Sequence, residues 1–229
     1  MAFVGPSGAG KSTLVKLLVG LYKPLEGREL LNGIPNTQID LETFRERIGF
    51  VTQDTQLFSG SIAENLRFMS PEATDAECMQ VLAQASALTL LEGADKGLET
   101  RIGEGGVKVS GGEKQRLPIA RSLLRQPDLM VFDEATSSLD SLTEEEVSAT
   151  IRQVAERREA ISILIAHRLS TIMHADRTTC WNAGASLSRA RMRNCSRGAA
   201  CTTRCGGSRW VNRRRSDAGG RVLRWRFIL

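Results

Sequence analysis

No stretch of this 229-residue chain is apolar for long enough to cross a bilayer. The longest apolar run near the start, Leu14 to Leu21, is broken by Lys16. Met1 leads straight into a strand-like segment and leaves no room for a signal peptide, so a soluble, cytoplasmic chain is expected. From Thr178 onward there is no lysine, no histidine and no proline, and Asp217 is the single acid against 12 arginines. That tail carries a net charge of +11, whereas residues 1–177 carry 19 Lys/Arg against 25 Asp/Glu, a net of −6. The basic pI of about 9.2 therefore rests wholly on the tail, and no nucleic-acid partner is expected for the rest. Four of the five cysteines, Cys180, Cys195, Cys201 and Cys205, also lie there. Their Cys-x3-Cys and Cys-x5-Cys spacings, without histidine, fit no tight zinc pattern, so zinc is not expected.

What the chain does have begins at Gly5. Gly5-Pro6-Ser7-Gly8-Ala9-Gly10-Lys11-Ser12 follows the strand-like Ala2-Phe3-Val4 and precedes a helical pattern that starts at Thr13. Three glycines let the backbone turn its N–H groups inward around phosphates. Lys11 brings a mobile charge for the β- and γ-phosphates, and the Ser12 hydroxyl is placed for Mg²⁺. The strand before and the helix after put the phosphates at a helix N-terminus, the context this motif requires.

Further along, the pieces alternate between strand and helix. Gly27 to Gly33 reads as a strand entering an Asn-Gly hairpin turn. Ile48-Gly-Phe-Val51 is a short buried strand ending at Gln53, which is either a ligand-facing amide or an ordinary loop residue. Ser61 to Leu66, Thr74 to Gln84 and Leu88 to Leu91 are short helical patterns with good entry chemistry, which suggests a helical insertion. Ser110-Gly111-Gly112-Glu113 opens another helix, with Ser110 serving as a simple N-cap or as part of an anion site. Pro118 falls inside that helix, where it removes a hydrogen bond and costs about 3 kcal/mol. Leu129 to Phe132 is a buried strand closed by Asp133 and Glu134, a pair able to divide metal holding from water activation. Asp140 follows in a tight turn and is able to cap the next helix. His167 sits just past the apolar strand Ile161 to Ile165, as a capping residue or a γ-phosphate contact.

Taken together, residues 2–177 resemble the ATP-binding domain of ATP-binding-cassette (ABC) proteins. GPSGAGKS resembles the Walker A loop, Gln53 the Q-loop glutamine and VSGGEKQR (residues 109–116) the signature. LMVFDE (residues 129–134) resembles Walker B, Ser138-Leu139-Asp140 the D-loop, and His167 the switch histidine. TRIGEGG (residues 100–106) is similar to the X-loop of the family's exporters. The resemblance implies an α/β P-loop NTPase fold with a RecA-like parallel-sheet core and an inserted helical subdomain over about residues 61–125. It implies ATP and Mg²⁺ as ligands, with Glu134 as general base and His167 orienting water and γ-phosphate. Ser12, Gln53 and Asp133 would organise Mg²⁺, and Lys11 would neutralise transition-state charge. A second such domain would join head to tail, each ATP held between one Walker A loop and the partner's Ser110 to Gly112. Exporter transmembrane domains would hold the pair at the cytoplasmic side of a membrane. A soluble ABC ATPase of the repair or translation type is the alternative, without the coiled-coil insertion or second cassette usual there.

The sequence departs from the family in three places. The upstream aromatic that stacks on adenine is absent, Pro118 stands where the family continues a helix, and nothing from Thr178 on matches. Residues 178–229 are therefore assigned to an irregular Arg/Cys-rich tail, expected to be disordered. Reading codons that begin one base early turns Ala199 to Ser208 into Gly-Leu-Tyr-Asp-Ala-Leu-Trp-Arg-Gln, and Cys180 to Gly198 permits a segment with Gly-Thr-His-Glu-Glu-Leu-Leu. Both resemble the usual end of an exporter domain, which points to a one-nucleotide frameshift near Arg177 or Thr178, from a pseudogene or a sequencing error; a non-functional truncated or frameshifted copy is a further alternative to the exporter domain. Sequencing the coding DNA should return codons compatible with that shifted frame; incompatible codons end the idea.

Overall fold

The computed structural model describes residues 1–53, 56–92, 95–136, 139–157, 159–165, 175–182, 185–191, 201–205, 208–212 and 227–228. In chain order its elements are β1 (Ala2–Val4), α1 (Lys11–Leu18), β2 (Leu30–Leu31), β3 (Ile34–Pro35), α2 (Leu41–Glu46), β4 (Ile48–Thr52) and β5 (Gly60–Ser61). Then come α3 (Ile62–Arg67), α4 (Asp75–Gln84), β6 (Arg101–Ile102), α5 (Gly111–Leu124), β7 (Leu129–Asp133), α6 (Ser141–Glu156) and β8 (Ile161–Ile165). The last are β9 (Arg177–Asn182), β10 (Ala185–Arg191), β11 (Cys201–Cys205), β12 (Ser208–Asn212) and β13 (Phe227–Ile228). The chain divides into two compact units, Met1–Ile48 with Ile163–Leu229, and Gly49–Ser162.

In the first unit β1 lies between two parallel neighbours. Ala2 and Phe3 pair with Leu164 and Ile165 of β8, and Ala2 to Val4 pair with Thr178 to Cys180 of β9. All three β1 residues are buried, as expected of a parallel strand covered on both faces. β10 returns antiparallel to β9, giving the order β10-β9-β1-β8. Leu14, Val15 and Leu18 form the buried face of α1. The Asn-Gly turn is present: Asn32 and Gly33 have φ of 54° and 85° between β2 and β3, the double left-handed geometry of a tight hairpin. β13 pairs antiparallel with β2, and β11 with β12.

The sheet continues past residue 177, where the sequence analysis ends the domain. β9 reaches Asn182 and β10 reaches Arg191, with Thr178, Thr179 and Cys180 buried. The physical reason lies in residue type. Two β-branched threonines, Thr178 and Thr179, suit the pleated slot beside β1.

In the second unit β7 neighbours β4, and the amide of Ile161, at the start of β8, donates to the Asp128 carbonyl at 2.8 Å. β7 is buried along its whole length. Gly49 of β4 has no room for a side chain, since a Cβ there would lie 2.3 Å from the Met130 sulfur. Residues 62–124 supply α3, α4, α5, two short 3-10 turns and β6. All three helices start on reciprocal caps, Ser61 with Glu64, Thr74 with Glu77 and Ser110 with Glu113. α5 runs unbroken through Pro118, its ends held by the Ser110–Glu113 cap and by Arg121, whose Nε donates to the Asn65 carbonyl at 2.7 Å.

Helix caps also set the acid limit of the fold. The carboxyls of Asp40, Glu77 and Asp140 sit below their ordinary range because Thr43, Thr74 and Thr143, respectively, donate to them. For Glu113 burial pushes upward, but hydrogen bonds from the Ser110 hydroxyl and amide outweigh it and the shift is downward. Carboxyls depressed in the folded state contribute stability that is complete above their unfolded values and is lost as pH falls through the folded ones. Thermal midpoints should thus hold from neutral pH to about pH 4 and then fall. Glu77→Gln should flatten that acid limb when the midpoints are followed by circular dichroism.

Candidate functional site

Six α-helices are described, and five begin on a side chain that accepts a backbone N–H: Asp40, Ser61, Thr74, Ser110 and Asp140. α1 does not. Its N-cap is Gly10, left-handed at φ 90° and ψ 17°, and no side chain caps it. No side chain stands as a cap over its first turn, and the dipole there favours an anion. Gly8 is also left-handed at φ 75°, so the loop depends on residues that accept positive φ.

Lys11 opens α1 and is buried, with 4 % of its surface exposed. Its Nζ donates to the carbonyls of Gly5 at 3.1 Å and Pro6 at 3.0 Å, so the ammonium bends back into its own loop. Pro6, Ser7, Gly8 and Thr13 are exposed, Ala9 is buried, and Gly5, Gly10 and Ser12 are half-buried. The loop Gly5 to Thr13 thus presents backbone, the Pro6 ring and the short side chains of Ser7 and Thr13 to solvent, beside a buried cation. Residues of this kind fit a polyphosphate: N–H donors, a lysine and no side chain in the way. The structure brings this predicted set together in the first unit.

The second unit holds the remaining candidates. Asp133 closes β7 and is buried, while Glu134 follows it half-buried. Glu134 has φ 53°, a left-handed backbone that a non-glycine residue rarely adopts and that clusters at functional positions. Gln53, exposed, follows β4, and its carbonyl accepts from the Gln115 side chain at 2.9 Å. That bond ties the Gln53 main chain to α5, a link no spacing in the sequence announces. Asp140 accepts from the amides of Leu142 and Thr143 at 3.2 and 3.1 Å, so its capping role is realised.

Ser110 is likewise a cap. Its Oγ accepts from the Glu113 amide at 3.3 Å and donates to Glu113 Oε2 at 2.7 Å. Gly111 and Gly112 keep the start of α5 bare of side chains. A Cβ on Gly112 would lie 2.8 Å from Thr143, and one on Gly111 3.4 Å from Leu139. Cap and anion site are therefore compatible readings of the same residues. His167 and Ser138 lie outside the described residues.

Taken unit by unit, Ser12 of the first offers a hydroxyl, and Asp133 and Gln53 of the second offer a carboxylate and an amide. Each is a hard oxygen ligand of the kind Mg²⁺ takes, and Mg²⁺ needs only one or two from protein beside phosphate and water. Among the described residues no three His, Cys, Asp or Glu side chains cluster as a metal site.

Comparison with known proteins follows this geometry. The ABC transporter family model matches residues 1–137. The mitochondrial iron-sulfur clusters transporter ATM1 of Candida glabrata is 48% identical over 176 residues, covering 77% of this chain and 24% of its own length. A multidrug resistance ABC transporter ATP-binding and permease protein of Lactococcus lactis is 45% identical over 178 residues, 77% of this chain and 30% of its own. Among solved structures, a bacterial Atm1-family ABC exporter with ATP bound superposes with a TM-score of 0.73 at 39% identity. It covers 84% of this chain and 33% of that one. The chain spans about a quarter of the length of the curated relatives it matches.

The two glycines of the loop should respond differently to alanine. At Gly8 a Cβ meets nothing within 4 Å, so Gly8→Ala should cost only its backbone strain, about 1 kcal/mol. At Gly5 a Cβ would fall 1.9 Å from the Trp181 carbonyl oxygen, so Gly5→Ala should lower the thermal midpoint by several degrees more than Gly8→Ala. Equal midpoints would remove the close approach of β9 to the loop.

Proposed function

The chain belongs to the ABC transporter family, and from that premise we propose that it is the ATP-hydrolysing nucleotide-binding domain of an exporter. The observation that carries the proposal is α1, uncapped behind a left-handed glycine and opening on a buried lysine. Its exporter character is supported by relatives named as a transporter and as a permease protein and by a structural neighbour named as an exporter.

In this proposal ATP is the substrate, its phosphates received by the backbone donors of Gly8 to Ser12. Lys11 exchanges the carbonyls of Gly5 and Pro6 for phosphate oxygens. Glu134 takes a proton from water as the water oxygen bonds to the γ-phosphorus and the bond to the β–γ bridging oxygen breaks, releasing ADP and phosphate. Mg²⁺, held by Ser12 and Asp133 with Gln53, would supply neutralisation of the phosphate charge. His167 orients the water and the γ-phosphate.

A second copy or a related domain completes the site head to tail, presenting Ser110, Gly111, Gly112 and Glu113 to the nucleotide. Transmembrane domains of an exporter hold the pair on the cytoplasmic side of the membrane. A surface suited to such a partner lies in the second unit. Phe58 and Phe68 stack at 4.4 Å between centroids, both exposed, with exposed Met69 beside them in sequence. The Arg121 guanidinium sits 5.3 and 5.9 Å from the two rings. Among the described residues no helix is long and apolar enough to cross a membrane, so the transmembrane part is assigned to other chain segments.

We also propose that residues from about 178 on are read out of frame.

Glu134→Gln should leave ATP binding intact and reduce steady-state phosphate release at least about 100-fold. Lys11→Ala should weaken binding itself, followed by calorimetry. Equal phosphate-release rates in wild type and Glu134→Gln would remove Glu134 as the base.

A further inference from the structure

Trp181 ends the buried part of β9 against the phosphate-binding loop. Cys180 pairs with Val4 across parallel strands, so the next residue falls beside Gly5, where β1 gives way to the loop. Two close approaches fix the placement. The Trp181 carbonyl oxygen lies 1.9 Å from where a Gly5 Cβ would be, and its indole Nε1 lies 3.7 Å from where a Gly10 Cβ would be. The backbone thus abuts the first glycine of the loop, and the ring abuts the last.

Ligands of parallel α/β sheets gather beyond the C-terminal ends of the strands. β1 and β9 run in the same direction and both end at this loop. Trp181 therefore stands on the ligand side of the sheet, half-buried, with part of its ring still accessible. Its indole N–H is buried and has no hydrogen-bond partner. Buried tryptophan N–H groups are ordinarily satisfied, and an orphaned donor facing a binding loop calls for an acceptor. The nearest loop atoms belong to Gly10, and Lys11 follows directly, its ammonium bonded to carbonyls of the same loop.

We propose that Trp181 is a nucleotide-contacting residue: its indole N–H donates to a phosphate oxygen of a nucleoside di- or triphosphate held by the loop. The inference rests on the reading of the loop as a nucleotide site. It adds a donor from a strand 170 positions away in sequence to those of the loop itself (Trp181 against Lys11). Phenylalanine at 181 keeps an aromatic ring in the slot and removes the donor, whereas leucine removes both.

The test uses the full chain. Trp210 and Trp225 are the other two tryptophans, so Trp210→Phe/Trp225→Phe leaves Trp181 as the sole indole reporter. Its emission should change on titration with Mg-ADP or Mg-ATP and saturate at the dissociation constant found by calorimetry. Trp181→Phe should weaken both nucleotides about tenfold, in the range of a hydrogen bond to a charged acceptor, while the ligand-free thermal midpoint stays unchanged. Nucleotide binding by the wild type with unaltered affinity in Trp181→Phe, or with no emission change from Trp181, overturns this inference alone. Absence of nucleotide binding by the wild type overturns the loop reading together with it. Where Trp181→Phe does not fold, the emission of Trp181 in the double variant decides.

Discussion

The first turn of α1 is closed by no capping side chain, and a helix start left bare in this way favours an anion through its dipole. Everything around it serves to keep that start bare and fixed. Gly10 has to be left-handed for the loop to turn into the helix, and a residue with a Cβ would bear the strain of that conformation. Lys11 has to be buried for its charge to act at short range rather than through water, and the loop's own carbonyls hold it in the meantime. β1, three residues long, has to be gripped on both sides, and β8 and β9 do so in parallel register. Relax any of these and the donors lose either their direction or their charge.

The other helices show the contrast that gives α1 its meaning. Their first turns are closed by their own chain, through oxygens of Asp40, Ser61, Thr74, Ser110 and Asp140. Ser110 stands between the two conditions. Its hydroxyl is engaged by Glu113 on both its donor and acceptor sides, yet the two glycines after it keep the helix start bare. A phosphate arriving there meets a proton already committed to a carboxylate. In the proposed function an anion at Ser110 would have to exchange partners with Glu113, whereas at α1 it meets no capping side chain to displace.

Much of this was legible in the sequence because it depends on short-range chemistry. The Asn32-Gly33 turn, the Ser61/Glu64 and Thr74/Glu77 boxes and the Asp140 cap each need only residues within three positions, and all formed. The loop at Gly5 and the buried strand before Asp133 were legible for the same reason. What stayed hidden depends on partners distant in sequence. Gln115 holds the carbonyl of Gln53 across 62 positions, and Arg121 holds Asn65 across 56, with no local pattern to announce either. Pro118 stands inside α5 as expected, and the helix runs through it, held by the cap at its start and by tertiary contacts. β9 escaped because its composition, Thr-Thr-Cys-Trp, reads as neither the aliphatic strand of the family nor a loop. Only its position beside β1 makes it a strand.

The parallel grip on β1 has a consequence in time. Residues 2–4 are synthesised long before their strand partners, residues 164–165 and 178–180. A nascent chain therefore carries an exposed, wholly apolar Ala-Phe-Val segment and an unsupported glycine loop until residue 180 has been made. Contacts of such sequence separation form late and slowly, because loop closure has to precede any gain from them. The second unit, whose residues are contiguous from Gly49 to Ser162, has its whole sequence available earlier. The order of birth and the order of completion are thus opposed: the loop after β1 is finished only when β9 arrives. Ribosome pauses or truncations between residues 165 and 178 would fall most heavily on a site made more than 150 residues before.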